Sequence, residues 1–154
     1  MEFGYWKRQA NGILKYYSLS RNIKQKILDD EQFWNIAQYD QWVIFQSLNQ
    51  IFIYNTKSNS FNIIHPETGV NKVFTVNNTI LYQTFGTGLF EIENGKSSLV
   101  SNDPELIKNK IINIYSQDDG LLIQTQYNGF LRCKDRQITN WAIDADVQLK
   151  ATSI

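Results

Sequence analysis

Short stretches of alternating apolar and polar residues recur along the chain, each cut off by a polar turn. Residues 34–39 run through Asp40-Gln41 into 42–48, then through Asn49-Gln50 into 51–55, and after a further polar turn into 61–65. Short runs broken by Asn, Asp and Gly have the spacing of strands and hairpins rather than of helices. The same four-beat phrase returns as 71–76, 79–85, 89–92 and 96–100, separated by Asn77-Asn78, Gly86-Thr87-Gly88 and Glu93-Asn94-Gly95. It returns again as 111–117, 121–127, 130–134 and 137–143, with Asp118-Asp119-Gly120 and Asn128-Gly129 at the first two turns.

Single residues fix the register of the repeat. Phe45-Gln46-Ser47, Tyr82-Gln83-Thr84 and Ile123-Gln124-Thr125 hold the same place in the second strand, and the third strands start at Ile51, Leu89 and Phe130, 38 and 41 residues apart. Before the first full copy, Phe3-Gly4-Tyr5-Trp6, the turn Asn11-Gly12 and residues 13–17 resemble the third and fourth strands of an earlier one. Residues 147–154 read as the first strand of a later copy.

Four strands in a period of about 40 to 50 residues are the pattern of β-propeller blades. The expected fold is therefore all-β: a propeller fragment of about three four-stranded antiparallel blades (34–66, 70–101 and 110–144), with a partial blade at 1–19, an inter-blade insertion at 20–33 and the start of another blade at 147–154. A single β-sandwich is the rival architecture, and the matched Gln-Ser/Thr positions favour the propeller. Two segments read as helical. Ser20 is placed to cap a helix at 21–32 with Ile23 and Ile27 on one face, and Asp103-Pro104-Glu105-Leu106 joins a capping Asp to a Pro at the first helical position.

Composition agrees with strands and narrows the chemistry. The 19 Ile, 9 Phe, 8 Tyr and 4 Trp fit pleated, half-buried surfaces. The 16 Asn and 13 Gln are dispersed among apolar residues and read as turns and compositional bias rather than as a prion-like tract. Fifteen basic residues balance fifteen acidic ones with no basic block, which argues against nucleic-acid binding by this chain. No apolar run is long enough to span a membrane and no export segment opens the chain. One cysteine, Cys133, cannot form an internal disulfide, and one histidine, His65, cannot alone build a metal site or a triad. No catalytic residue, metal or cofactor is expected.

The phrases Phe3-Gly4-Tyr5-Trp6, Trp34-Asn35-Ile36, Val43-Ile44-Phe45-Gln46-Ser47 and Gly88-Leu89-Phe90-Glu91-Ile92 with Gly95 resemble the "two-component regulator propeller" repeats of bacterial sensor regulators. In that family the propeller precedes a triple-tyrosine immunoglobulin-like domain, a membrane helix and a histidine kinase or helix-turn-helix module. The resemblance covers nearly the whole chain and none of those other modules. It implies a periplasmic ligand-sensing piece of a transmembrane signalling or transcription regulator, with a glycan-derived solute as the candidate ligand. A protein-binding propeller scaffold is the alternative, and a carbohydrate-active enzyme on the same fold is the least supported reading.

Individual residues bear on that choice. If the fragment reaches a sensing face, the turns joining second and third strands gather at one end, which makes Asn49, Gln50, Thr87, Tyr127 and Asn128 the candidate ligand contacts. Gly86-Thr87-Gly88 permits close backbone approach but lacks the Lys and following helix of a phosphate loop, so a hairpin turn is expected. Asp118-Asp119-Gly120 lacks the spacing of a calcium loop. Asp144 and Asp146 share a strand face without marking a cleft. His65 precedes Pro66 at a strand end and is expected in an exposed loop, and Cys133 is expected to be buried. Trp6, Trp34, Trp42 and Trp141 could stack on sugar rings, with core packing the commoner role. Incomplete terminal blades leave open faces and edges, so the isolated chain is expected to self-associate, by stacking terminal blades or donating 147–154 to another copy. Membrane contact would come only through parts outside this chain.

Overall fold

In the computed structural model, residues 2–29, 31–145 and 148 are described. The chain divides into two units, Met1–Gln32 and Phe33–Ile154.

The first unit is built on one antiparallel hairpin, β1 (Gly4–Arg8) and β2 (Leu14–Ser18), in register from Gly4 opposite Ser18 to Arg8 opposite Leu14. Tyr5 stacks on Tyr17 with ring centroids 5.3 Å apart. Gly4 cannot be replaced here, because a Cβ would lie 2.1 Å from the Tyr17 carbonyl oxygen. The helix expected at 21–32 is instead a 3₁₀ turn over Ser20–Lys26 that stops before Ile27, whose backbone is extended. Ser20 does not cap it: its buried hydroxyl accepts from the Phe3 amide at 3.2 Å. The N-cap position falls on Leu19, which offers the free helix amides no side-chain acceptor.

The second unit holds three four-stranded antiparallel sheets in chain order. The first sheet is β3 (Phe33–Tyr39), β4 (Trp42–Ser47), β5 (Ile51–Asn55) and β6 (Ser60–Ile64). The second is β7 (Val70–Val76), β8 (Thr79–Thr84), β9 (Gly88–Glu93) and β10 (Lys96–Ser101). The third is β11 (Ile111–Gln117), β12 (Gly120–Thr125), β13 (Phe130–Lys134) and β14 (Gln137–Trp141). The expected strand grouping of the three full copies is thus present, and so is the expected register: Gln46 pairs with Ile51, Gln83 with Leu89 and Gln124 with Phe130. Each first strand shifts register in its opening residues, at Phe33/Asn35, Val70/Lys72 and Ile111/Asn113.

Strand alternation puts apolar residues on both faces, because each sheet meets a neighbour on a face. Ile44, Ile51 and Ile53 of the first sheet pack with Val73, Ile80 and Ile92 of the second. On its opposite face the second sheet sends Phe74, Leu81 and Leu89 against Ile114, Ile123 and Leu131 of the third. Burying one such side chain contributes about 1.5–3 kcal/mol, so the two interfaces are a dominant stabilising term of this unit. Helix α1 (Pro104–Lys108) lies in the connection between the second and third sheets, and Asp103 caps it as expected, accepting from the Glu105 amide at 2.9 Å. Its Leu106 is fully buried in the second interface.

The stretch 147–154, expected to begin a further blade, lies outside the described residues apart from Gln148. That residue is helical rather than extended, its amide donating to the Ala145 carbonyl at 3.0 Å. Asp146 also lies outside the described residues, and Asp144 is an exposed turn residue. No helix among the described residues is long and apolar enough to cross a membrane.

Candidate functional site

The repeated Gln-Ser/Thr pair organises the end of the sheets where second strands turn into third strands. Ser47 Oγ donates to the Gln50 carbonyl and accepts from the Gln50 amide, both at 2.9 Å. Thr125 Oγ1 does the same job in the third sheet, donating to the Gly129 carbonyl at 2.9 Å and accepting from the Asn128 amide at 3.1 Å. In the second sheet the Thr84 hydroxyl bonds that of Thr87. In the first and third sheets a buried hydroxyl thus satisfies the backbone groups that a tight turn exposes.

Between the first and second sheets this end opens into a cleft of about 240 Å³. Its first wall is the strand end and connection Ile64, His65, Pro66 and Glu67; its second is Tyr82, Thr84, Thr87, Phe90 and Ser97. Tyr82 and Phe90 are opposed across β8 and β9 and stack with centroids 5.2 Å apart and planes 17° from parallel. The Tyr82 hydroxyl bonds Ser97 Oγ at 2.5 Å. Burial pushes the Tyr82 phenol up and the Ser97 bond partly opposes this, so the phenol is neutral at physiological pH. Gln50 Nε2 lies 3.2 Å from His65 Nδ1. Because an amide nitrogen only donates, the ring nitrogen is the acceptor there.

The lining therefore offers an aromatic pair, four hydroxyls, one imidazole and one carboxylate, which suits a small neutral solute rich in hydroxyls. His65 and Glu67 are the ionisable side chains of the lining besides Tyr82, and His65 is held by Gln50 rather than by a hydroxyl it could activate.

The sequence-predicted contacts divide. Gln50 and Thr87 meet at this cleft, Thr87 in its wall and Gln50 behind His65, buried to 1 % exposure. Asn49 lies exposed in the preceding turn. Tyr127 and Asn128 sit at the corresponding turn of the third sheet, where Asn128 Nδ2 donates to Glu105 of α1 and Tyr127 is exposed. Tyr82, Thr84, Phe90 and Ser97 line the cleft without being among the contacts expected from sequence. Tyr82-Gln83-Thr84 is visible as a repeat marker, but Ser97 belongs to an edge strand and lines the cleft beside the Tyr82 hydroxyl.

Other sequence candidates find structural roles. Gly86-Thr87-Gly88 forms the β8–β9 turn, and a Cβ on Gly88 would lie 2.4 Å from the Ser101 carbonyl oxygen. Asp119 is held by Arg132 and by Lys134, the latter at 2.9 Å; these bonds draw its carboxyl down to about 2. Cys133 is buried, and that burial pushes its thiol up, away from reactivity. No group of three or more metal-ligating side chains occurs among the described residues. Trp42 packs against the core between the first two sheets, as expected, whereas Trp6 and Trp34 are 66 % and 69 % exposed, and Trp141 lies at the surface with the Arg132 guanidinium 5.5 Å from its ring.

No protein-family model matches the chain, and no curated protein does. Among solved structures it is similar to the N-terminal domain of Nup159, with a TM-score of 0.48 and 10 % identity, over 72 % of this chain and 30 % of that one. The chain thus spans under a third of that domain.

Proposed function

We propose that the three sheets are successive blades of a β-propeller, that the β1–β2 hairpin supplies the outer strands of a preceding blade, and that the chain is the solute-sensing part of a bacterial transmembrane regulator, placed in the periplasm. The cleft between the first two sheets carries this reading: an aromatic pair and four hydroxyls converge beside a strand-to-strand turn. Its volume of about 240 Å³ suits one sugar-sized solute, below the roughly 300–1,000 Å³ of drug-sized pockets. A glycan-derived solute fits because a ring face packs on Phe90 while its hydroxyls exchange into the bonds of Thr84, Thr87, Tyr82 and Ser97. Calorimetry against a panel of mono- and oligosaccharides tests it. At least one member binds, and Thr87→Val with Ser97→Ala weakens it roughly tenfold, the loss of one to two hydrogen bonds; no binding by any member ends the proposal.

One observation favours the protein-binding alternative. Trp34 and Ile36 are both largely exposed near the start of β3, an apolar pair of the kind that anchors interfaces. A scaffold of that kind predicts a partner lost on Trp34→Ala with saccharide binding unaffected.

A further inference from the structure

The first two sheets leave a second cleft at their other end, where the β3–β4, β7–β8 and β9–β10 turns meet. It measures about 120 Å³, half the size of the first. Its floor is three isoleucines, Ile53, Ile80 and Ile92, all buried. Tyr39 and Trp42, paired across the β3–β4 hairpin, supply aromatic surface, and Glu93 with Asn78 and Asn94 supplies the polar rim. The Glu93 side chain makes no ion pair or hydrogen bond among the described residues, and neither the Trp42 indole nor the Tyr39 hydroxyl donates one.

These features select a ligand by charge and size. The only formal charge in the lining is negative and unpaired, which disfavours anions. The space is half that of the first cleft, and an isoleucine floor offers a sugar ring no hydrogen bonds. Aromatic faces attract a cation through their quadrupoles, most strongly when it is desolvated, and tryptophan does so best. We propose that this cleft binds an alkylated ammonium headgroup, its methyl groups against Trp42, Tyr39 and the isoleucine floor and its charge balanced by Glu93. The rest of the ligand leaves past Asn78 and Asn94. This site is distinct from the hydroxyl-lined cleft and stands whether or not that cleft binds a sugar.

Choline chloride is the probe, with 3,3-dimethylbutan-1-ol as its uncharged isostere and sodium chloride as the salt control. Titrations of the full chain are followed by the Trp42 indole and Gly95 amide resonances. Choline shifts both saturably, the isostere binds roughly tenfold more weakly, and Glu93→Gln weakens choline about threefold to fivefold, as for an exposed charge pair. Glu93 is exposed, so this variant leaves the fold intact. Equal affinity for the isostere, an unchanged affinity in Glu93→Gln, or shifts that map to Thr87 and Ser97 instead would each overturn the assignment.

Discussion

Gln83 reaches from the second sheet to the third: its side-chain carbonyl accepts from the Ile111 amide at 2.8 Å, 28 residues along the chain. Its Nε2 donates to the carbonyls of Leu106 and Asn109, both at 2.8 Å, so one amide side chain holds α1 and the opening of β11 together. Gln46 makes the equivalent link one sheet earlier, accepting from the Val73 amide at 2.9 Å and donating to the Asn71 carbonyl at 3.3 Å. The bond fits there because each first strand shifts register at its opening, leaving main-chain groups outside the ladder.

Gln83→Ala is expected to destabilise the protein by about 2–4 kcal/mol, because it strands a buried amide and two carbonyls together. Gln124 holds the same register, yet what it meets among the described residues is the Tyr115 hydroxyl of its own sheet, at 3.2 Å. Gln124→Ala should therefore change stability by less than about 0.5 kcal/mol. Denaturant unfolding of the two variants checks both values, and equal losses would mean that Gln83 does not act as a tie between sheets.

The third sheet presents Tyr115, Leu122 and Phe130 at the positions where the second presents Phe74, Leu81 and Leu89 to its neighbour. The second-sheet residues are buried, whereas Tyr115 is exposed and Leu122 and Phe130 are half-buried. Such a face favours association, so light scattering should show a mass rising with concentration, and Leu122→Glu should return it to the 18.0 kDa monomer. A wild-type monomer at high concentration would contradict this.

Asp119 should titrate near 2, held down first by Arg132 and then by Lys134. A carboxyl whose folded-state pKa lies below its usual 3.8 stabilises the fold fully above that value, and the contribution fades as pH falls toward 2. Carboxyl carbon shifts measured from pH 5 to 1.5 test this. In the double variant Arg132→Ala, Lys134→Ala the midpoint should move back toward the usual value, and an unmoved midpoint would remove the two cations as its cause.

Local chemistry makes much of this fold legible in the sequence. Asn77-Asn78 and Asn94-Gly95 adopt the positive φ that tight hairpin turns require, and Asp103-Pro104 starts α1 as its residue types dictate. The Gln-Ser/Thr pair marks the register, but its reason is tertiary: Gln46 and Gln83 tie sheets, and Ser47 and Thr125 close turns. The helix expected after Ser20 failed for a similar reason, since Phe3 takes the hydroxyl that would have capped it. The cleft was half legible. Thr87 lies in a turn that pattern can locate, and Phe90 and Ser97 sit on adjoining strands of one sheet, whereas Glu67 joins them only through the stacking of two sheets.

The binding cleft is tested most directly by mapping amide shifts of the labelled chain at saturation with the tightest saccharide from the calorimetric panel. The predicted result is a cluster of shifts at Thr84, Thr87, Phe90 and Ser97, with Tyr127 and Asn128 unmoved. Shifts centred on Tyr127 and Asn128, or on Trp34 and Ile36, would contradict a sensing cleft between the first two sheets.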